Sequence, residues 1–129
     1  TVYAAGANGN AAPIATISGA ATTLFSPVAV AVDGAGKIYV SSYASNVTVY
    51  AAGADGNAAP IATLSGANTG LSFPYGLAVD GAGKIYVANN ASNSVTVYPA
   101  GANGNVAPVA TISGPATLLS SPFGLALGP

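Results

Sequence analysis

The chain has 129 residues, of which 51% are hydrophobic and only 4% charged, with a formal net charge of -1. Disorder goes with low hydrophobicity and high net charge, so this composition excludes a disordered chain. Two lysines and no arginine leave no phosphate-binding face, which excludes nucleic acid as an expected partner.

Cysteine, methionine, tryptophan and histidine are all absent. Disulfides, thiol chemistry and imidazole metal sites go with them, and no cofactor or metal ion is expected. Gly, Pro, Asn or Ser interrupts every apolar run well short of the ~18 residues a membrane span needs, so no membrane insertion is expected. Thr1 is neither an initiator methionine nor preceded by a signal peptide, which reads as a processed chain or a fragment.

Internal repeats govern the reading from the first residue onward. Thr1-Val-Tyr-Ala-Ala-Gly recurs at Thr48 and, as Thr-Val-Tyr-Pro-Ala-Gly, at Thr96. Pro13, Pro60 and Pro108 keep the same spacing, as do Pro27, Pro74 and Pro122. One array of about 2.7 copies results, with repeats over 1–47, 48–95 and a truncated 96–129. The one length difference falls in a polar segment, where residues 43–47 correspond to residues 90–95. A length change tolerated there marks that segment as a loop.

In the middle copy four strands are predicted, over residues 75–79, 85–88, 95–98 and 109–113. Val, Ile, Tyr and Thr dominate these short runs. Asp80-Gly-Ala-Gly-Lys84 joins the first two strands and Gly101-Ala-Asn-Gly-Asn105 the last two, both with the residues tight turns require. No apolar stripe of helical period survives the glycines and prolines, so helix content near zero is expected.

Val28-Ala-Val-Ala-Val32 puts large residues on one face and small ones on the other, with nothing polar on either. A sheet with one solvent-facing side would alternate apolar with polar. Four-stranded antiparallel units with two apolar faces, repeating every ~40–50 residues, predict an all-β chain of β-propeller blades. The Ala and Gly positions of each first strand are then expected where blades crowd at the axis. A β-sandwich is the alternative, but it leaves the period unexplained.

Leu71, Pro74-Tyr-Gly-Leu-Ala-Val-Asp80, Lys84-Ile-Tyr-Val-Ala-Asn89, Asn93 and Val95-Thr-Val-Tyr98 follow one another in the middle copy. This pattern resembles the NHL-repeat family of β-propellers, and the likeness spans essentially the whole chain. The first copy departs from it at Val28-Ala29 and at Ser42-Tyr43. The resemblance implies a propeller, typically six-bladed, in a family of binding scaffolds with a few lyases and hydrolases. The central histidine, glutamate and arginine residues of the family's enzymes have no counterpart here, because those residue types are absent.

An array of about 2.7 units makes an incomplete ring unless it assembles or continues in a longer chain. One four-stranded face covers ~300 Å². At roughly 25 cal/mol per Å², each open face leaves up to ~8 kcal/mol of burial unrealised. Expected partners are therefore other copies of the chain or missing blades of a longer one. Simple head-to-tail closure carries a difficulty: joining the first strand expected over residues 122–127 to the strand expected at a neighbour's Val2 and Tyr3 leaves one unit without its second strand.

The charged residues are Asp33, Lys37, Asp55, Asp80 and Lys84, and all read as turn residues. Paired carboxylates would have to come from separate turns, and no histidine exists to activate a serine, so no catalytic residue is assigned. A turn with one carboxylate is too poor in charge for a strong calcium site. Lys37 and Lys84 follow glycine but lack the earlier glycine and the following Ser/Thr of a phosphate loop. Among the tyrosines, Tyr39 and Tyr86, and Tyr3, Tyr50 and Tyr98, are repeat-equivalent and read as packing residues. Tyr43 and Tyr75 break the repeat near loops and are the candidate ligand or glycan contacts. Asn46 and Asn90 head Asn-x-Ser/Thr sequons and are the candidate glycosylation sites.

The expectation is a non-enzymatic structural or interaction module, extracellular or at the cell surface, that completes its stack by self-association or within a longer chain. The alternative is a carbohydrate- or small-ligand-binding segment of a larger secreted propeller. An enzyme ranks third.

Overall fold

The computed structural model describes residues 1–128; the remaining residue of the truncated copy, Pro129, lies outside the described residues. Among the described residues, eight strands form in two separate antiparallel sheets. The first holds β1 (Pro27–Val32), β2 (Ile38–Ser42), β3 (Asn46–Tyr50) and β4 (Ala62–Ser65), and the second holds β5 (Pro74–Val79), β6 (Ile85–Asn89), β7 (Ser94–Tyr98) and β8 (Ala110–Ile112). Each sheet pairs its strands in chain order, β1-β2-β3-β4 and β5-β6-β7-β8. The only helical pieces among the described residues are single 3₁₀ turns at Ala20–Thr22, Ala67–Thr69 and Pro115–Thr117. The four strands expected in the middle copy are present, with no end moved by more than one residue. The segment carrying the length difference is the loop between β2 and β3 and between β6 and β7.

Asp33 and Asp80 explain why the first hairpin of each sheet closes as it does. Asp33 Oδ1 accepts the N–H groups of Ala35 (2.9 Å) and Lys37 (2.9 Å), and its Oδ2 accepts the Tyr39 hydroxyl (3.0 Å). Asp80 repeats the arrangement with Ala82 (2.9 Å), Lys84 (2.8 Å) and Tyr86 (3.0 Å). A carboxylate that accepts several turn N–H groups holds the turn and satisfies donors that the strands cannot. In both sheets the register slips by one residue at the start of the first strand, between Pro27 and Ala29 and between Pro74 and Leu77. Such a bulge bends the strand and re-aims its side chains.

The two sheets pack face to face around one core. Tyr39, Val47, Val49 and Leu64 of the first meet Leu77, Ile85, Val87 and Tyr98 of the second. β5 lies against β1 and β2. Residues 123–125 then pass so close to Gly76 that a Cβ there would stand 2.9 Å from their backbone, which only glycine permits. β1 and β5 therefore lie together, and residues 123–125, expected as a further first strand but forming no strand here, continue the contact at Gly76.

Sequence alternation places Val28, Val30 and Val32 on one face of β1. In the structure that face is open: Val30 is 64% exposed, whereas its counterpart Leu77 in β5 is 7% exposed, covered by the first sheet. At the opposite side of the array the outer strand β8 is bare, with Ile112 53% exposed against 0% for its counterpart Leu64.

Candidate functional site

Two arrangements stand out from the packing. The first is a clasp that joins successive repeats at their outer rim. The turn at residues 53–57 lies against the segment that precedes the first sheet. Gly56 donates its N–H to the Thr16 carbonyl (2.9 Å), and Ser18 donates to the Gly56 carbonyl (2.9 Å). Two side chains flank this pair: Asp55 Oδ1 accepts from Thr16 N–H (2.7 Å) and Asn57 Oδ1 from Ala21 N–H (2.8 Å).

The second clasp repeats the first one repeat later. Gly104 donates to Thr63 (2.8 Å), Ser65 donates to Gly104 (3.2 Å), and Asn103 and Asn105 accept from Thr63 (2.9 Å) and Asn68 (2.8 Å). Each clasp also seats the Asn that ends its turn, Asn57 or Asn105, over a glycine. A Cβ at Gly19 would collide with Asn57 Oδ1, and one at Gly66 with Asn105 Oδ1. Both glycines hold positive φ, 118° and 114°, which L side chains rarely adopt. Reading Asp55 and the Asn-Gly pairs as turn residues was therefore incomplete, because the same side chains bind the neighbouring repeat.

The third-strand tyrosines reinforce the arrangement from inside. Tyr50 donates its hydroxyl to the Thr22 carbonyl (2.6 Å) and Tyr98 to the Thr69 carbonyl (2.5 Å), and both rings are fully buried. Burial raises the Tyr98 hydroxyl pKa above its ordinary value.

The second arrangement is an aromatic cluster at the β2–β3 hairpin end. Tyr43 and Tyr75, singled out in the sequence, come together: their rings meet edge to face at 5.4 Å and their hydroxyls are hydrogen-bonded. That bond, with a smaller contribution from desolvation, raises the Tyr75 pKa. Phe73 stands edge-on to Tyr43 (5.8 Å), and Phe123 tilts against Tyr75 (4.4 Å). Phe73 and Phe123 were not among the sequence candidates; their signal is a large aromatic next to the repeat-equivalent Pro74 and Pro122. Tyr43, Phe73 and Phe123 are all exposed, so the cluster faces solvent across three repeats.

Asn46 and Asn90 flank the same end. Asn46 opens β3 opposite Ser42 and Ser65, half-buried, with its Oδ1 out of solvent and unpartnered. Asn90 is half-buried, and its Nδ2, the atom a glycan would be linked to, is out of solvent without a partner.

The hairpin turns of Asp33 and Asp80 open onto one shallow groove of about 330 Å³ that also takes in Lys37. The two carboxylates thus approach a common surface, although they come from separate turns. Both oxygens of each are already engaged in holding the turn. Among the described residues no three Asp, Glu, His or Cys side chains are grouped as a metal site would group them, and no helix is long and apolar enough to cross a membrane. No family model matches the chain, and no curated protein is detectably similar to it.

Proposed function

We propose that the chain is a non-enzymatic structural or interaction module whose sheets act as blades of an NHL-like propeller. Its stack is completed by self-association, as a ring or an extracellular fibre, or by further repeats within a longer parent chain. The observation that carries this reading is the paired contrast at the two sides of the array. Val30 and Ile112 stand open at positions where Leu77 and Leu64 are buried by a neighbouring repeat. Apolar side chains left bare at positions the fold elsewhere covers mark an interaction surface. The test is the solution mass by light scattering over a range of concentrations, with negative-stain imaging of the same sample. Rings, fibres or a mass that rises with concentration are expected; a monodisperse 12.2 kDa monomer at every concentration overturns the self-associating form.

A second reading is favoured by the aromatic cluster: a surface for a carbohydrate or other small ligand. Exposed Tyr and Phe rings with hydroxyls beside them suit the apolar face of a sugar ring. Glycan-array binding that disappears in a Tyr43→Ala, Tyr75→Ala double variant would support it, and binding unchanged by the double variant would remove it.

A further inference from the structure

The two internal clasps have a third counterpart that is split between opposite sides of the molecule. Its turn half is residues 6–10, Gly-Ala-Asn-Gly-Asn, identical to residues 101–105 and differing from residues 53–57 only in Asn8 for Asp55. Its seat half is residues 110–117, Ala-Thr-Ile-Ser-Gly-Pro-Ala-Thr, equivalent to residues 15–22 and 62–69. Both halves are exposed. Asn8 Oδ1 accepts only from its own neighbour Gly9 N–H (2.7 Å), where Asp55 and Asn103 accept from another repeat. Gly114 has φ 102° like Gly19 and Gly66, yet nothing lies within 4 Å of the position that Asn57 and Asn105 fill over those two.

We propose that the turn at residues 6–10 of one copy of this chain seats on residues 111–116 of a second copy, reproducing the internal clasp between molecules. The proposal rests on the self-association reading and names its contact. By equivalence, Asn8 Oδ1 accepts from the second copy's Thr111 N–H, and Asn10 Oδ1 from its Ala116 N–H above Gly114. Gly9 exchanges backbone bonds with Thr111 and Ser113, as Gly56 and Gly104 do with Thr16 and Ser18, and with Thr63 and Ser65. Two complete instances of this contact within one chain show that its geometry is compatible with the fold.

A second feature agrees in position. At Val2, four residues before the free turn begins, a cleft of about 290 Å³ opens between Val2 and Ile17 on one side and Val28, Val30, Ile38 and Val40 on the other. It lies on the open face of the first sheet, where the internal clasps have a first strand packed alongside. In the second copy, residues 122–127 run next to β5 without a strand partner, with Phe123 and Leu127 exposed. Docking turn on seat brings that segment to the cleft. The slot between residues 122–127 and Val2, which β2 and β6 hold in the complete sheets, is filled by neither copy. The contact is accordingly weaker than an internal one, and association in the roughly micromolar to millimolar range is expected.

The experiment uses three full-length chains in sedimentation equilibrium: the wild type, an Asn8→Ala, Asn10→Ala variant that lacks the turn acceptors, and a Gly114→Ala variant whose new Cβ occupies the place of Asn10 Oδ1. The wild type is expected to associate, and each variant alone to do so roughly tenfold more weakly, as loss of two hydrogen bonds implies. Mixing the variants is the deciding measurement. Each keeps the half that the other lacks, so a one-to-one mixture forms a dimer and stops there, which an unfolded variant could not do. Variants that associate as tightly as the wild type overturn this contact while leaving self-association through another surface. Folded variants whose mixture stays monomeric also overturn it. A wild type monomeric at all concentrations overturns both this contact and self-association, and leaves the edge to an occupant other than a second copy.

Discussion

Asp33 uses both carboxylate oxygens to close its hairpin, and Asp80 does the same one repeat later. For Asp33, desolvation pushes the pKa upward, but the N–H groups of Lys37 and Ala35 and the Tyr39 hydroxyl together outweigh it, so the net shift is downward. For Asp80 the Lys84 N–H dominates, and for Asp55 the Thr16 N–H across the clasp; both are lowered too. A carboxyl whose pKa is depressed on folding contributes stability above its unfolded pKa of about 4 and loses it as the pH falls through the lower folded value. Tyr39 works in the opposite sense: burial, then its bond to Asp33, push its pKa up to about 12. Its contribution is present below the unfolded pKa of about 10 and fades as the pH rises towards the folded value. With no histidine in the chain, the thermal midpoint is expected to be level from about pH 5 to 9 and to fall on both sides. A slope of several degrees inside that window would contradict the assignment. The clasp offers a second test at single-residue scale. Asp55 already stands where Asn103 stands in the next repeat, and either oxygen accepts the same N–H. Asn103→Asp is therefore expected to change unfolding free energy by less than about 0.5 kcal/mol. Asn103→Ala removes the acceptor and should cost about 1 kcal/mol in urea titrations.

At the scale of the strand, one position read in two sheets separates sequence from surroundings. Val30 and Leu77 are repeat-equivalent, but the first sheet covers only Leu77. Leu77→Ala is expected to destabilise by about 2–4 kcal/mol through lost burial and the cavity left behind. Val30→Ala in the unassociated chain should stay within about 0.5 kcal/mol, as exposed positions do. Similar losses at both sites, measured by denaturant unfolding, would mean that the open face is not open in solution. The strands themselves were legible because Val, Ile and Tyr runs alternate with Asp-Gly and Asn-Gly turns, and the repeat checks each run against its sister. Strand ends were less legible: β8 is three residues long, Ala110–Ile112, one shorter than its counterpart β4, which the neighbouring turn holds through the Ser65 N–H to Gly104 carbonyl bond. The bulge between Pro74 and Leu77 was not legible, as it leaves no residue type that marks it.

For the whole molecule, the repeat revealed that units stack, while the hydrogen bonds that join them were hidden. Asn57 and Asn105 satisfy the composition of a tight turn completely, so their second role left no residue unexplained. One signal was present: Gly19, Gly66 and Gly114 recur after a Ser at the same offset, beyond what strand or turn requires. The aromatic cluster was half legible for a related reason. Tyr43 and Tyr75 break the repeat, but only the stacked sheets bring Phe73 and Phe123 beside them.

The separation of ladder and clasp along the chain also sets an order of events in time. Every strand pairs with its sequence neighbour, whereas the side-chain clasp bonds join residues 36 to 40 positions apart. Closing a long loop is entropically harder than closing a hairpin, so the sheets form early and the clasps late. The reverse path opens the clasps first. In native-state hydrogen exchange, the amides of Thr16, Ser18 and Gly56 are therefore expected to exchange through openings of lower free energy than those of β3 and β7. Equal protection at the rim and in the sheets would instead mean that the array opens as a single unit.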